Sequence, residues 1–358
     1  MTYNRDSNVE LMRLVCMIMI LIHHLIIRFF FNADIILMHQ GGVNPAEMFF
    51  IVLNSFCYIG VNCFLLISGY YGIRFKLCGL LNLYLICVFY SLITHFEDIC
   101  FLKTESFTIW TIKDIILVFS QQHYWWYIKC YVILYLFSPL LNKALNHFTK
   151  HEYRFTLVLM AIANLYFGYW WGKYNPDGYN VGHFVFVYII GRYIGRFVSP
   201  NFIDNKRYFS ISCYVIVILI FSTLSVAAHY LPIPHWQTYP YNNPLLLVGS
   251  LCFFLFMLSF HFHSLSINKF ATSALSIYLL QNLALFTYLS KHIDNLGVNI
   301  DSDNYIATIS SILIYLLLFS FAFATISICI DKLRILITRP IIRAFSNHFT
   351  TICGSLMN

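Results

Sequence analysis

Charge is what this sequence has least of. Asp, Glu, Lys and Arg make up 10% of its 358 residues and hydrophobic side chains 59%. Soluble domains carry about 25% charged residues, so a water-soluble fold is excluded and the chain reads as an integral membrane protein. Any CxxC pair is also missing. The eleven cysteines are scattered, mostly inside apolar runs, which offers neither a zinc site nor a disulfide framework and reads as small apolar filling of a helical core. No metal is expected. There is no internal repeat, which weakens an inverted-repeat transporter reading, and no low-complexity tract. No small-x-small cleavage site follows the first apolar run, so that run is expected to stay as the first membrane helix. No extramembrane stretch is long enough for a second domain, and no nucleic-acid partner is expected.

What is present is a succession of apolar segments near the 20 or so residues that cross a bilayer. Ten are read: 11–31, 48–73, 79–95, 125–142, 155–171, 182–198, 209–229, 243–262, 271–290 and 305–330. The expected fold is all-α and polytopic, with a membrane domain over 1–330 and a basic amphipathic tail over 331–358 held at the interface by anionic lipid. Within 96–124, a short amphipathic run from Trp110 to Phe119 is expected to lie at the interface. With the N-terminus cytoplasmic, 16 of the 22 lysines and arginines fall on the inner side and 6 on the outer. The positive-inside bias therefore puts both termini in the cytoplasm.

The first span is unusual for what it carries: Glu10, Arg13, His23, His24 and Arg28. An ionised side chain at the centre of a lone membrane helix costs roughly 2.5–3.5 kcal/mol. At 100° per residue, Arg13 and His24 lie on one helix face about 16 Å apart along the axis. Glu10 and Arg28 fall close to the same stripe, whereas His23 points about 100° away and reads as an interhelical hydrogen-bonding group. Such a stripe must face protein or water. Glu10 can pair with Arg13 at i, i+3. His24, just past mid-membrane, is placed to be a general base if neutral.

Here the sequence resembles the integral membrane acyltransferase 3 family of bacterial surface-glycan acyltransferases, whose first helix carries an arginine, ten residues and a histidine, as Arg13 and His24 do. "FLLISGYYG" (64–72) is similar to the family's Ser-Gly-aromatic helix end, and "WWYIKCYVILYLFSPLLN" (125–142) to its Trp-rich start and Ser-Pro-x-Leu-Asn finish. "YNNPLLL" (241–247) and "LSIYLLQ" (275–281) resemble two later segments. The resemblance implies transfer of an acyl group, usually acetyl, from cytoplasmic acyl-CoA to a glycan hydroxyl outside, in a bacterial plasma membrane. His24 and Arg13 would be the catalytic pair and no bound cofactor would be needed. Arg13, Arg74 and Lys76 would form a basic rim for the polyanionic donor.

Two positions depart from the family. Its inner Arg-x-x-Arg pair aligns with the uncharged "GLLN" of Gly79 to Asn82, and its late histidine is Gln281, an amide that exchanges no proton near neutral pH. In "QQHYWWYIK" (121–129), Trp125, Trp126 and Tyr127 form either an interfacial aromatic belt or the platform on which an acceptor sugar stacks, with Lys129 snorkelling outward or touching the acceptor. Gly191 and Gly195 of "GRYIGR" suggest close helix packing. The residues alone leave an alternative: a transporter or flippase of a lipid-linked saccharide, with His24 and Arg28 as a proton relay or substrate ligands.

Overall fold

The computed structural model describes residues 6–27, 45–102, 106–119, 125–172, 175, 177–228, 230, 239–281, 283 and 304–356, with side chains of the last helix described to residue 344. Among them there are helices and connections and no strand. Six helices are long and apolar enough to cross a membrane: Ser7–Ile26, Pro45–Tyr71, Leu77–Phe101, Trp126–His147, Arg207–Ala227 and Tyr305–Ala344. The remaining expected spans coincide with shorter or less regular helix. Residues 155–171 lie in Lys150–Ala161 and the π-helical Ile162–Trp170 that continues it, and 182–198 match Val181–Phe197. Residues 243–262 correspond to Pro244–Leu258, and 271–290 begin in Ala274–Leu280 and run on outside the described residues.

Helix α1 (Ser7–Ile26) is the central element, packed against α2 (Pro45–Cys57), α3 (Gly60–Tyr71), and the later α11 (Pro244–Leu258), α12 (Leu265–Ala271) and α13 (Ala274–Leu280). Met12, Leu21 and Leu25 on it are fully buried. Next come α4 (Leu77–Glu97), the short α5 (Ile109–Ile116) and α6 (Trp126–His147). Then follow α7 (Lys150–Ala161), α8 (Val181–Phe197), α9 (Pro200–Asn205) and α10 (Arg207–Ala227), with α14 (Tyr305–Leu356) last. Helix starts are written locally. Thr108 with Thr111 and Thr149 with Glu152 form capping boxes at α5 and α7, and Asn243 caps α11 ahead of Pro244. Helix α5 keeps Ile109, Trp110, Ile112 and Ile116 exposed, the apolar face expected of an interfacial helix.

Pro139 inside α6 has no N–H to offer the carbonyl of Tyr135, four residues back. The Ser138 hydroxyl donates to that carbonyl instead, at 2.7 Å. The Ser-Pro pair thus repairs its own break, as backbone groups in an apolar bundle require.

Helices α3 and α8 approach backbone to backbone. A Cβ added at Gly69 would strike the Tyr188 carbonyl oxygen, at Gly191 the Leu66 carbonyl oxygen, and at Gly195 the Tyr70 carbonyl oxygen. The close packing expected of Gly191 and Gly195 is therefore real, and its partner is α3.

Helix α14 runs through residue 331 without a break, so the basic segment begins as a continuation of the last span. Arg334, expected among lipid headgroups, is 4% exposed and donates Nε to Asp331 Oδ1 at 2.7 Å and Nη1 to Thr338 Oγ1. The Tyr90 hydroxyl of α4 donates to the same Asp331 oxygen at 2.9 Å. Residues 331, 334 and 338 repeat at helical spacing, so one face of the helix turns inward while Arg339 and Arg343 remain exposed.

Gly191→Val places a branched side chain against backbone that cannot move aside, at a cost on the order of 3 kcal/mol. The thermal midpoint of the detergent-solubilised protein should fall by several degrees, read by fluorescence-detected size exclusion.

Candidate active site

A cavity of about 300 Å³ opens beside α1. Arg13, Met17, Ile20 and His24 line it in steps of four, three and four residues, which is one face of the helix. The face shared by Arg13 and His24 thus looks into this space. Glu10, buried at 5% exposure, accepts a bond from Arg13 Nη1 at 3.2 Å and holds the guanidinium at one end of the stripe. Arg28 lies outside the described residues.

Across from α1, helix α6 presents Trp126, Tyr127 and Tyr131. Tyr127 and Tyr131, one turn apart, stack with ring centroids 5.9 Å apart and planes 15° from parallel; Tyr135 continues the ladder at 6.5 Å. Ser68 of α3, Thr272, Tyr278 of α13 and Tyr241 complete the polar wall, and Phe64, Leu83 and Leu275 are among its apolar members. Among these lining residues there is no carboxylate; Arg13 is the one guanidinium and His24 the one imidazole.

His23 keeps out of the cavity. Its Nδ1 pairs with Asn54 Oδ1 of α2 at 2.7 Å and its ring meets Tyr58 edge-on at 4.7 Å. It is the interhelical group that its angular position implies.

The two neighbouring indoles at the start of α6 go to different places. Trp125 is 5% exposed and donates Nε1 to the Leu279 carbonyl at 3.2 Å, outside the lining. The left-handed backbone at Trp125 (φ 54°), just before α6, separates the directions of the two indoles. It is Trp126 that reaches the cavity, beside Tyr179 at 4.2 Å and Tyr241 at 5.4 Å. Lys129, half-buried, is outside the lining as well, because it stands two positions from Tyr127 and so on another face of the helix. Trp126 and Tyr127 are in the wall, whereas Trp125 and Lys129 are not.

Arg74 and Lys76 are exposed on the link from α3 to α4 and do not line the cavity. That link is held by Tyr135, whose hydroxyl accepts from Lys76 N at 3.0 Å and donates to Lys76 O at 3.1 Å. The same hydroxyl fills the space a Cβ on Gly79 would need. A tyrosine hydroxyl from α6 therefore stands against Gly79, the first residue of the uncharged Gly79 to Asn82 stretch. Gln281 is buried at 2% exposure and also lies outside the lining. Arg192 and Arg196 are tied to Asn146 Oδ1 and the Leu145 carbonyl at the end of α6.

Ser68, Tyr131, Thr272, Tyr278 and Tyr241 were not singled out from sequence. Tyr131 was legible as the i+4 partner of Tyr127; the other four depend on how distant segments meet.

A family model described as an acyltransferase domain matches residues 6–331, from just before α1 to the Asp331 of α14. The chain belongs to the acyltransferase 3 family. Searches of curated proteins and of solved structures returned no match. The cavity lies within the matched region of this membrane acyltransferase, and the Arg13–His24 stripe forms one of its walls.

In a cysteine-free background, Ser68→Cys should react with a small methanethiosulfonate at least about tenfold faster than Ser55→Cys. Ser68 lines the cavity, whereas Ser55 is fully buried and bonded to the Ile51 carbonyl. Equal rates would mean that the cavity is closed to solutes.

Proposed function

We propose that this protein is an O-acyltransferase of the bacterial plasma membrane. It takes an acyl group, in the first instance acetyl, from cytoplasmic acyl-CoA and delivers it to a hydroxyl of a cell-surface or lipid-linked glycan on the outer face. Ten spans with both termini in the cytoplasm fit this direction of transfer, because the arginine end of α1 then faces the donor and the histidine end the acceptor. The observation that carries the reading is the cavity itself, with one imidazole and one guanidinium on the same helix stripe and a wall of aromatic rings and hydroxyls.

In this reading, the acceptor hydroxyl gives its proton to His24 as its oxygen attacks the thioester carbonyl. A C–O bond forms, the C–S bond breaks with its electron pair on the CoA sulfur, and the thiolate takes the proton from the imidazolium. Arg13 stands about 16 Å along the axis from His24, too far to touch the same reacting atoms. Its role is to hold the donor, together with Arg74 and Lys76 at the exposed rim. The rings of Trp126, Tyr127 and Tyr241 offer stacking surfaces for a sugar.

The test incubates membranes containing the protein with radiolabelled acetyl-CoA and the host's surface glycans. His24→Ala should lower label transfer at least about a hundredfold while the variant remains folded in the membrane. Undiminished labelling by that variant would remove His24 from the mechanism.

A further inference from the structure

His183 at the start of α8 is fully buried, and the reaction just described makes no use of it. It sits in the middle of a chain of hydrogen bonds whose direction is set at both ends by backbone. The Gly178 N–H donates to Asn175 Oδ1 at 3.0 Å, so the Asn175 amide nitrogen faces Asn164 and donates to its Oδ1 at 3.2 Å. Asn164 Nδ2 then points at His183 Nδ1 at 3.2 Å. His183 must therefore accept on Nδ1 and carry its proton on Nε2, which donates to Asn62 Oδ1 at 2.8 Å. Asn62 Nδ2 ends the chain on the Tyr241 carbonyl at 3.0 Å. Asn62, Asn164 and Asn175 are each no more than 2% exposed.

The far end of this chain is a cavity residue. The Tyr241 N–H is tied to the Asp177 carbonyl at 2.8 Å, and Asn242 Nδ2 donates to the Asn164 carbonyl at 3.2 Å and to that of Asn175. Gly178 (φ +76°) is needed for this approach, since a Cβ there would lie 2.8 Å from the Asn242 nitrogen. So held, the Tyr241 ring stacks on Tyr58 at 4.7 Å, and Tyr58 in turn abuts His23, the neighbour of His24.

We propose that His183 is a positioning residue: through the Asn62–Tyr241 link it fixes the aromatic wall opposite His24 and so sets the affinity for the glycan acceptor. The inference rests on the acyltransfer reading for its functional part. Imidazole suits the post because it donates at one nitrogen and accepts at the other. A glutamine, with one N–H₂ and one carbonyl, can do the same.

The experiment titrates the host's surface-glycan fraction against radiolabelled acetyl-CoA with wild type, His183→Ala and His183→Gln. In parallel, hydrogen exchange is followed at the peptide covering 239–243. His183→Ala should raise the KM for glycan about tenfold to a hundredfold, leave the KM for acetyl-CoA near wild type, and speed exchange at Tyr241. His183→Gln should restore both. If the alanine variant does not fold, Asn62→Leu, which deletes the last link at similar volume, is expected to give the same pattern. Unchanged glycan KM and exchange would overturn the proposal, as would equal losses in both KM values with glutamine no better than alanine. Absence of labelling by wild type would instead remove the acyltransfer reading. The exchange arm would then still decide whether His183 positions Tyr241.

Discussion

The contact between α3 and α8 is made backbone to backbone, and much of the rest is registered on it. Because Gly69, Gly191 and Gly195 present no side chain, the two helices approach until carbonyl oxygens of each lie where a Cβ of the other would be. That closeness brings His183 to Asn62 near one end. Toward the other it lets the Tyr188 hydroxyl accept from Ile73 N at 3.0 Å and donate to Asn142 Oδ1 at 2.7 Å. Asn142 in turn donates to the Ile73 carbonyl, which ties the end of α6 to the α3–α4 link. Wider spacing would leave these groups buried without partners in an apolar bundle, where each is costly.

Many of the polar residues inside the bundle are given a partner by helical spacing or by direction. Glu10 with Arg13 and Asp331 with Arg334 pair three residues apart on their own helices. Ser138 repairs the carbonyl that Pro139 strands. The asparagines around His183 form a one-way chain from a backbone N–H to a backbone C=O. The His24 face is different in kind, because it opens on a cavity rather than on packed side chains. Polar side chains there line open space within the region matched by the family.

Two departures from the family pattern acquire a physical setting. At Gly79 the neighbouring helix supplies a tyrosine hydroxyl that holds the α3–α4 link through Lys76, so the backbone there is positioned without a basic pair. At Gln281 an amide sits buried away from the cavity lining. Among the described lining residues His24 is the one imidazole.

Membrane residence, helical class and family were legible in the sequence, since they follow from composition, run length and short motifs in order. So was the common face of Arg13 and His24, because angular position on a helix depends only on the count of residues between them. The sequence could not tell which of Trp125 and Trp126 meets the cavity. The choice turns on a left-handed backbone at one residue and on Leu279, more than 150 residues away. Nor could it show Arg334 buried beside Tyr90, or Tyr241 and Tyr278 brought to the His24 wall. Local periodicity determined which side chains share a face; only the packing of distant helices decided what each face meets.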